Sequence, residues 1–321
     1  MKNEIQQIGI GVIDLQIKAL KKLKYSLDNS FDKAVNVIHK CKSKVIVCGV
    51  GKSGIIASKI SATLASVGTP SFSISANDCS HGDLGRISKK DILILISYSG
   101  NSDELKNIIN YAKLNKITLI GITSDKRSNL YTSADIKLLI PNVEESGHGI
   151  VPTSSTTSQI SLGDALSITS MQMKNFGKLD FKKFHPGGTL ANKLKTASDL
   201  MLRKSRIPFV NENVIIKDAL KTLNKKKLGF IVVINNKGMN TGIFTDGDLK
   251  RSLQKKSFSE KSKIKFIMTK KPFAVEENTL LTDILSKMNK KRITSVCIFN
   301  KKNRKKIIGV IHIHQILKFL N

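Results

Sequence analysis

Three short stretches carry hydroxyl, amide and cationic groups at spacings that suit an anionic ligand. Val47-Cys48-Gly49-Val50-Gly51-Lys52-Ser53-Gly54 follows an apolar run and opens a helical pattern. Its glycines at 49, 51 and 54 fit G-x-G-x-x-G, and Gly51-Lys52-Ser53 looks like the tail of a P-loop. Both motifs cradle phosphate at a helix N-terminus. A P-loop, however, needs a glycine where Ile46 stands. The acidic residue that would hold a dinucleotide ribose has no clean candidate either, because Asp78 falls late, in a polar loop. The second stretch is Ser97-Tyr98-Ser99-Gly100-Asn101-Ser102-Asp103-Glu104, where hydroxyls and unpaired helix N–H groups fit a small phosphate monoester. The third, Pro152-Thr153-Ser154-Ser155-Thr156-Thr157, heads a long helix. One N-cap needs one hydroxyl. Two hydroxyl-dense turns beside a Gly-Lys-Ser-Gly turn therefore point to ligand contacts rather than to caps alone.

These turns require strands that end, and helices that begin, at the right places. Val45 to Cys48, Ser71 to Ser75, Ile92 to Ser97, Ile117 to Thr123 and Ile136 to Ile140 read as strands. Ser53 to Val67, Asp103 to Leu114 and Thr156 to Phe176 read as helices. Residues 1–40 read as two helical stretches, with apolar positions at Ile5, Ile8, Val12, Leu15 and Ala19, then Phe31 to Ile38. The alternation predicts an α/β fold: a parallel sheet covered by helices on both faces, with right-handed crossovers. Sites in such sheets lie beyond the carboxyl ends of the strands.

After residue 195 the pattern changes to an internal repeat with a period of about 65 residues. Ile216-Lys217-Asp218-Ala219-Leu220 matches Leu281-Thr282-Asp283-Ile284-Leu285, and Val233-Ile234-Asn235 matches Ile298-Phe299-Asn300. Gly242-Ile243-Phe244 matches Gly309-Val310-Ile311, and Asp199-Leu200-Met201 matches Phe266-Ile267-Met268. Each unit reads as extended segment, helix, strand, strand, helix.

Composition narrows the classes. A chain of 321 residues holds one large domain or two to three smaller ones, and 40% hydrophobic content supports a sizeable core. Cys41, Cys48, Cys79 and Cys297 have neither paired nor metal-ligand spacing, which fits a reducing, cytoplasmic setting. Met1 to Leu20 lacks the apolar core of a signal peptide, and no apolar run approaches the roughly 18 residues of a membrane span. The net charge of +30 invites a nucleic-acid reading. The lysines are scattered through every segment, so the expectation is no specific nucleic-acid partner and no membrane.

The motifs, taken together, resemble a sugar isomerase (SIS) domain. In chain order they are Gly51-Lys52-Ser53-Gly54, Gly68-Thr69-Pro70, His81-Gly82-Asp83-Leu84-Gly85 and Ser97-x-Ser99-Gly100. The Pro-Thr-Ser-Ser-Thr-Thr block, Gly163-Asp164-Ala165-Leu166 and His185-Pro186-Gly187-Gly188 follow. The repeat resembles a tandem pair of CBS modules, for which Gly-x-Phe-Thr-Asp-Gly-Asp-Leu at 242–249 is a fairly specific match. The order is similar to the D-arabinose 5-phosphate isomerase family. It implies N-terminal helices at 1–40, a three-layer SIS sandwich at 41–194, and CBS modules at 197–255 and 263–321.

The resemblance implies an intramolecular oxidoreductase that interconverts D-ribulose 5-phosphate and D-arabinose 5-phosphate, on the route to Kdo for lipopolysaccharide or capsule. A proton moves between C1 and C2 through an enediol(ate), with no cofactor required. The residues carried over as catalytic are Lys52, Glu104, Glu144 and His185. Either His185 or a glutamate is the base, and Glu144 matches the family better than Glu145 does. Substrate contacts carried over are Gly51, Ser53, Gly68, Thr69, His81, Ser97, Ser99, Asn101, Ser102, Thr153, Ser154 and Ser155. Thr245 and Asp246 would hold a nucleotide or nucleotide-sugar, and the CBS pair is either regulatory or a packing element. A homotetramer is implied, with a site assembled between subunits. Asn101 stands where many relatives carry Glu, and Ser75 stands where many carry a second histidine. The second change weakens a zinc site that His81 would otherwise join, and no metal is expected. A non-catalytic sugar-phosphate sensor on the same fold is the alternative. Residues 1–40 show no clear helix-turn-helix, which favours the enzyme.

Overall fold

The computed structural model describes residues 3–254 and 256–320. Met1, Lys2, Lys255 and Asn321, which the sequence-read domains include, lie outside the described residues. The chain forms two compact units, Met1–Phe184 and His185–Asn321.

The first unit begins with α1 (Glu4–Ser26) and α2 (Asn29–Lys40). It continues through β1 (Val45–Gly49), α3 (Lys52–Ser66), β2 (Ser71–Ser75), α4 (Ala76–Cys79), β3 (Ile92–Ile96) and α5 (Lys106–Leu114). Then come β4 (Thr118–Thr123), α6 (Asn129–Ser133), β5 (Ile136–Leu139), the turn-like α7 (Ser146–Ile150), α8 (Ser154–Met173) and α9 (Lys178–Phe184). The five strands are parallel in the order β2-β1-β3-β4-β5.

Alternation along the strands builds a core on each face. Val45, Val47, Ile92, Ile94 and Ile96 pack with Ile38, Ile60, Leu64, Leu162 and Leu166. Ile46, Cys48, Leu93 and Leu95 pack with Ile74, Leu105, Ile108 and Ala112. Burial on both sides explains why these strands read as continuous apolar runs. The crossover from β1 to β2 runs one way along the sheet and that from β3 to β4 runs the other. Right-handed connections must then put α3 and α5 on opposite faces, and the two cores place them there. The expected three-layer α/β sandwich is the observed fold.

Among the boundaries that shift from the expectation, two helix starts have a physical cause. The helix expected from Asp103 starts with a 3-10 turn, Asp103–Leu105, before α5. The long helix starts at Ser154 rather than Thr156, because the Glu145 carboxylate accepts its first free N–H groups. The short helices α4, α6, α7 and α9 have too few apolar positions to show a period.

The second unit contains α10 (Gly188–Lys193), α11 (Ala197–Leu200), β6 (Leu202–Arg203), β7 (Phe209–Asn211), α12 (Ile216–Lys226), β8 (Phe230–Ile234), β9 (Asn240–Thr245) and α13 (Asp246–Leu253). It ends with β10 (Thr269–Lys270), β11 (Ala274–Glu276), α14 (Leu281–Lys291), β12 (Ser295–Asn300), β13 (Asn303–His312) and α15 (Ile313–Leu320). Its sheets, β10-β9-β8-β7 and β11-β12-β13-β6, exchange edge strands between the two repeats. The exchange is locked by sulfur over glycine. A Cβ on Gly242 would stand 2.5 Å from the Met268 Sδ, and one on Gly309 would stand 2.2 Å from the Met201 Sδ.

Two contacts in the first unit are testable. A Cβ on Gly163 would stand 2.3 Å from the Ile60 side chain, where α8 meets α3. Gly163→Ala is expected to cost about 1–3 kcal/mol by overpacking. Ile60→Val should restore part of that loss in a double-mutant cycle read by urea unfolding. Asp91 is buried just before β3 and accepts from the Ser43 hydroxyl and the Ser88 N–H (2.7 Å), with the Lys44 Nζ at 3.1 Å. Burial pushes its carboxyl up, but these donors outweigh burial and hold it below the usual range. Its contribution is therefore present above the unfolded-state pKa, roughly 3.9, and is lost as pH falls through the lower folded value. Asp91→Asn should cost about 2 kcal/mol at neutral pH, a difference that vanishes in acid.

Candidate functional site

Strand order reverses between β1 and β3, so the turns after them diverge and leave a crevice at their carboxyl ends. The turn after β1 is shaped by its glycines. A Cβ on Gly49 would lie 2.7 Å from the Ser53 backbone, and Gly51 sits at φ 56° as the N-cap of α3. Close backbone approach fixes the first glycine and a left-handed turn fixes the second. The amides of Ser53 and Gly54 turn back onto the carbonyls of Val50 and Gly51. The loop therefore aims Lys52 and Ser53 outward instead of wrapping a nucleotide phosphate chain.

The turn after β3 is held by its own hydroxyls. The Ser97 Oγ accepts from the Gly100 N–H at 3.0 Å and lies 3.0 Å from the Ser102 Oγ, while the Ser99 Oγ accepts from the Asn101 N–H. Gly100 is left-handed at φ 70°, and a Cβ there would stand 2.2 Å from the Ser128 Oγ. The Asn101 Oδ1 accepts from the Asn129 N–H at 2.9 Å, which pins the turn to α6. Asn101 thus serves as a bracket rather than as the cap of the following helix.

A cavity of about 410 Å³ opens at this crevice, lined by Lys52, Ser53, Tyr98, Glu145, Ser155 and Gln159, with Val50, Gly149, Ile150, Pro152 and Thr156 at its walls. Its volume falls in the range of small-molecule sites. The Ser53 hydroxyl donates to the Gln159 Oε1 at 3.2 Å, which ties α3 to α8. The Tyr98 hydroxyl accepts from the Val143 N–H and fixes the segment leading to Glu145. The Glu145 carboxylate accepts from the N–H groups of Thr153 (2.7 Å), Ser154 (2.8 Å) and Ser155 (3.2 Å). Burial pushes the Glu145 carboxyl up, but these hydrogen bonds hold it below the usual carboxylate range.

Of the residues expected at the site, Lys52, Ser53 and Ser155 line this cavity and Gly51 adjoins it. Ser97, Ser99, Asn101 and Ser102 form the neighbouring turn that Tyr98 connects to it. Thr153 and Ser154 head α8, where their amides are taken by Glu145. His81 is exposed after α4, and among the described residues no group of His, Cys, Asp or Glu side chains is placed to hold a metal. Glu104 is exposed in the 3-10 turn and does not line the cavity. His185 opens the second unit and is half-buried.

Two more groups of expected residues lie away from this cavity. Glu144 faces Lys18, Lys22 and Leu15 of α1, and Glu145 is the carboxylate that lines the cavity. Neighbouring residues of an extended segment point to opposite sides, so only one of the pair can face inward. Gly68 and Thr69 lie before β2, at the amino ends of the strands, while the cavity is at the carboxyl ends. Thr69 is 1% exposed and accepts from the Lys174 Nζ at 2.7 Å, and a Cβ on Gly68 would strike the Phe176 ring. Tyr98, Glu145, Thr156 and Gln159 were not among the expected residues. The spacing of Ser155 and Gln159, one helical turn apart in a core helix, was the available signal for two positions on the cavity face.

The second unit has its own cavity of about 500 Å³, lined by both repeats. Thr245, Asp246, Arg251 and Lys271 meet Arg292 and His312 there. The Thr245 Oγ1 is committed to the Asp248 Oδ2 at 2.8 Å in a reciprocal helix cap, which leaves Asp246 as the carboxylate for a ligand.

Comparison with known proteins agrees with this architecture. Residues 38–169 match the SIS domain family, and residues 197–255 and 264–321 each match the CBS domain family. The arabinose 5-phosphate isomerase KdsD of Francisella tularensis strain SCHU S4 is 38% identical over 97% of this chain and 95% of its own length. That of Yersinia pestis is 37% identical over 98% of this chain and 96% of its own. A solved Escherichia coli CFT073 protein in complex with arabinose 5-phosphate is 36% identical, with a TM-score of 0.55, and covers 58% of this chain and 100% of its own. The chain therefore belongs to the arabinose 5-phosphate isomerase family, with a SIS domain followed by two CBS domains.

Proposed function

We propose that this chain is an aldose–ketose isomerase that interconverts D-ribulose 5-phosphate and D-arabinose 5-phosphate through an enediol(ate), feeding Kdo synthesis. The observation that carries this reading is the convergence of one cation, Lys52, with the hydroxyl turn at Ser97–Ser102 and the polar face of α8 at the strand-order switch. Phosphate fits the hydroxyl turn, and the Lys52 ammonium suits the oxyanion that develops as the proton leaves carbon. Hydrogen moves as a proton, so the reaction calls for no redox cofactor.

Glu145 is a poor base, since its lone pairs already accept several donors. Proton transfer falls instead to Glu104, Glu144 or His185, with His185 serving a neighbouring chain of a homotetramer in the cytoplasm. Exposed isoleucines support such assembly: Ile5 (75% exposed) and Ile8 (66%) on α1, Ile55 (71%) on α3, and Ile150 (77%) at the cavity wall. No described helix is long and apolar enough to cross a membrane. In the second unit, Asp246 with Arg251, Lys271 and Arg292 suits a nucleotide or nucleotide-sugar, whose hydroxyls and phosphates want opposite charges.

Pure protein should exchange the C2 proton of arabinose 5-phosphate with deuterated water and turn over both pentose phosphates. Ligand-dependent stabilisation without exchange would sink the isomerase reading and favour a sensor. Lys52→Ala should lower kcat about 100-fold or more with a smaller change in KM, as read in a coupled assay. Asp246→Ala should weaken nucleotide binding about tenfold or more by calorimetry while pentose phosphate turnover persists.

A further inference from the structure

The α8 N-terminus already holds an anion, and the chain supplies it. Thr153 is the N-cap of this 20-residue helix, yet its side chain makes no capping bond. The Glu145 carboxylate takes that place: Oε2 accepts from the Thr153 and Ser154 N–H groups, Oε1 accepts from the Ser155 N–H, and the Thr153 hydroxyl donates to Oε2 at 3.2 Å. A phosphate at a helix N-terminus binds through the same backbone amides. The occupant is fixed at both ends of its loop, because the Ser146 N–H donates to the Thr153 Oγ1 and the Val151 N–H donates to the Ser146 carbonyl.

Within the cavity, Glu145 is the carboxylate and Lys52 the cation among the described lining residues. A phosphate entering beside α8 would meet a fixed negative charge, with the Thr153, Ser154 and Ser155 amides already taken. The Ser97–Ser102 turn presents no carboxylate to the cavity. The crevice therefore has one end closed to anions and one end open. This inference rests on the isomerase reading for its substrate, but not for the anion preference itself.

We propose that Glu145 is the positioning residue of this cavity: its carboxylate fills the anion position of α8 and directs the substrate's single phosphate to the Ser97–Ser102 turn, so that the carbonyl end of the sugar lies toward Lys52. A substrate that enters reversed places its phosphate against Glu145 and is refused. The residue acts on orientation, without exchanging a proton.

Removing the carboxylate should open a second anion position. Equilibrium dialysis of the full chain against radiolabelled inorganic phosphate should show one more phosphate bound per chain in Glu145→Ala and Glu145→Gln than in the unaltered protein. Formate, which restores a carboxylate, should displace that additional phosphate alone. Because a reversed substrate binds without reacting, kcat and KM for arabinose 5-phosphate should fall together, about tenfold each, with kcat/KM little changed, and formate should bring both back up. Equal phosphate stoichiometry in all three proteins would overturn the proposal, as would a KM within twofold of the original. Glu145→Gln keeps the side-chain shape should Glu145→Ala not fold. If circular dichroism shows neither variant folded, the carboxylate is a structural cap and the proposal also falls. Phosphate binding is read without turnover, so an inactive unaltered protein would sink the isomerase reading without deciding this one.

Discussion

The first unit depends on the reversal of strand order between β1 and β3. Right-handed crossovers leave that point in opposite directions, so α3 and α5 start side by side and cover different faces. Backbone cannot fill the gap between them, and a helix from later in the chain must close it. That helix is α8, and its closeness is set by Gly163 against Ile60. Ser155 and Gln159 then reach the crevice from the α8 side, with Gln159 bonded to Ser53 across it. The site is thus a product of topology first and of side-chain chemistry second.

The electrostatics of the crevice bear little relation to those of the chain. A net charge of +30 draws anions from a distance, an effect that salt screens within about 8 Å at physiological strength. Inside the cavity the balance among the described residues is one lysine against one carboxylate. The carboxylate is further compensated by the helix dipole and by amide donors, which leaves the Lys52 charge as the one still seeking a partner. A cation so placed favours a transition state that gains negative charge on oxygen. The lysines scattered over the surface do not contribute to that preference.

Much of this was legible in the sequence, because the signals were periodic or glycine-bound. Strands buried on both faces announce themselves as apolar runs, and Gly49, Gly51 and Gly100 mark places where a side chain cannot be accommodated or where φ is positive. The hydroxyl turns were legible for the same reason. Direction was harder. Glu144 and Glu145 are adjacent acids in an extended segment, and the anchoring of Val143 by Tyr98 together with the α8 amides on Glu145 sets which one turns inward. Gly68 and Thr69 carry a ligand-like pair of types, but their place before β2 puts them at the wrong end of the strands for this cavity. A motif read along the chain does not say which rim of a sheet it occupies unless the strand is placed first.

The repeat in the second unit separates what the fold requires from what a ligand requires. In the first module Thr245 and Asp248 cap α13 reciprocally. In the second, Gln315 stands three residues after His312 and accepts its N–H at 2.8 Å, as the acidic partner does in the first. The helix start is therefore kept, since Gln serves that position as well as an acid does. The residue after the cap is not kept: Asp246 faces the cavity in the first module, and Ile313 follows His312 in the second. Burial, with His314 beside it, pushes His312 below its usual range, which favours the neutral imidazole near pH 7. Among the described residues the cavity's cations are then Arg251, Lys271 and Arg292, and its free carboxylate, Asp246, comes from the first module. Two repeats that fold by the same rules thus present one polar half-site between them, because packing constrains the cap and nothing in packing constrains the residue that follows it.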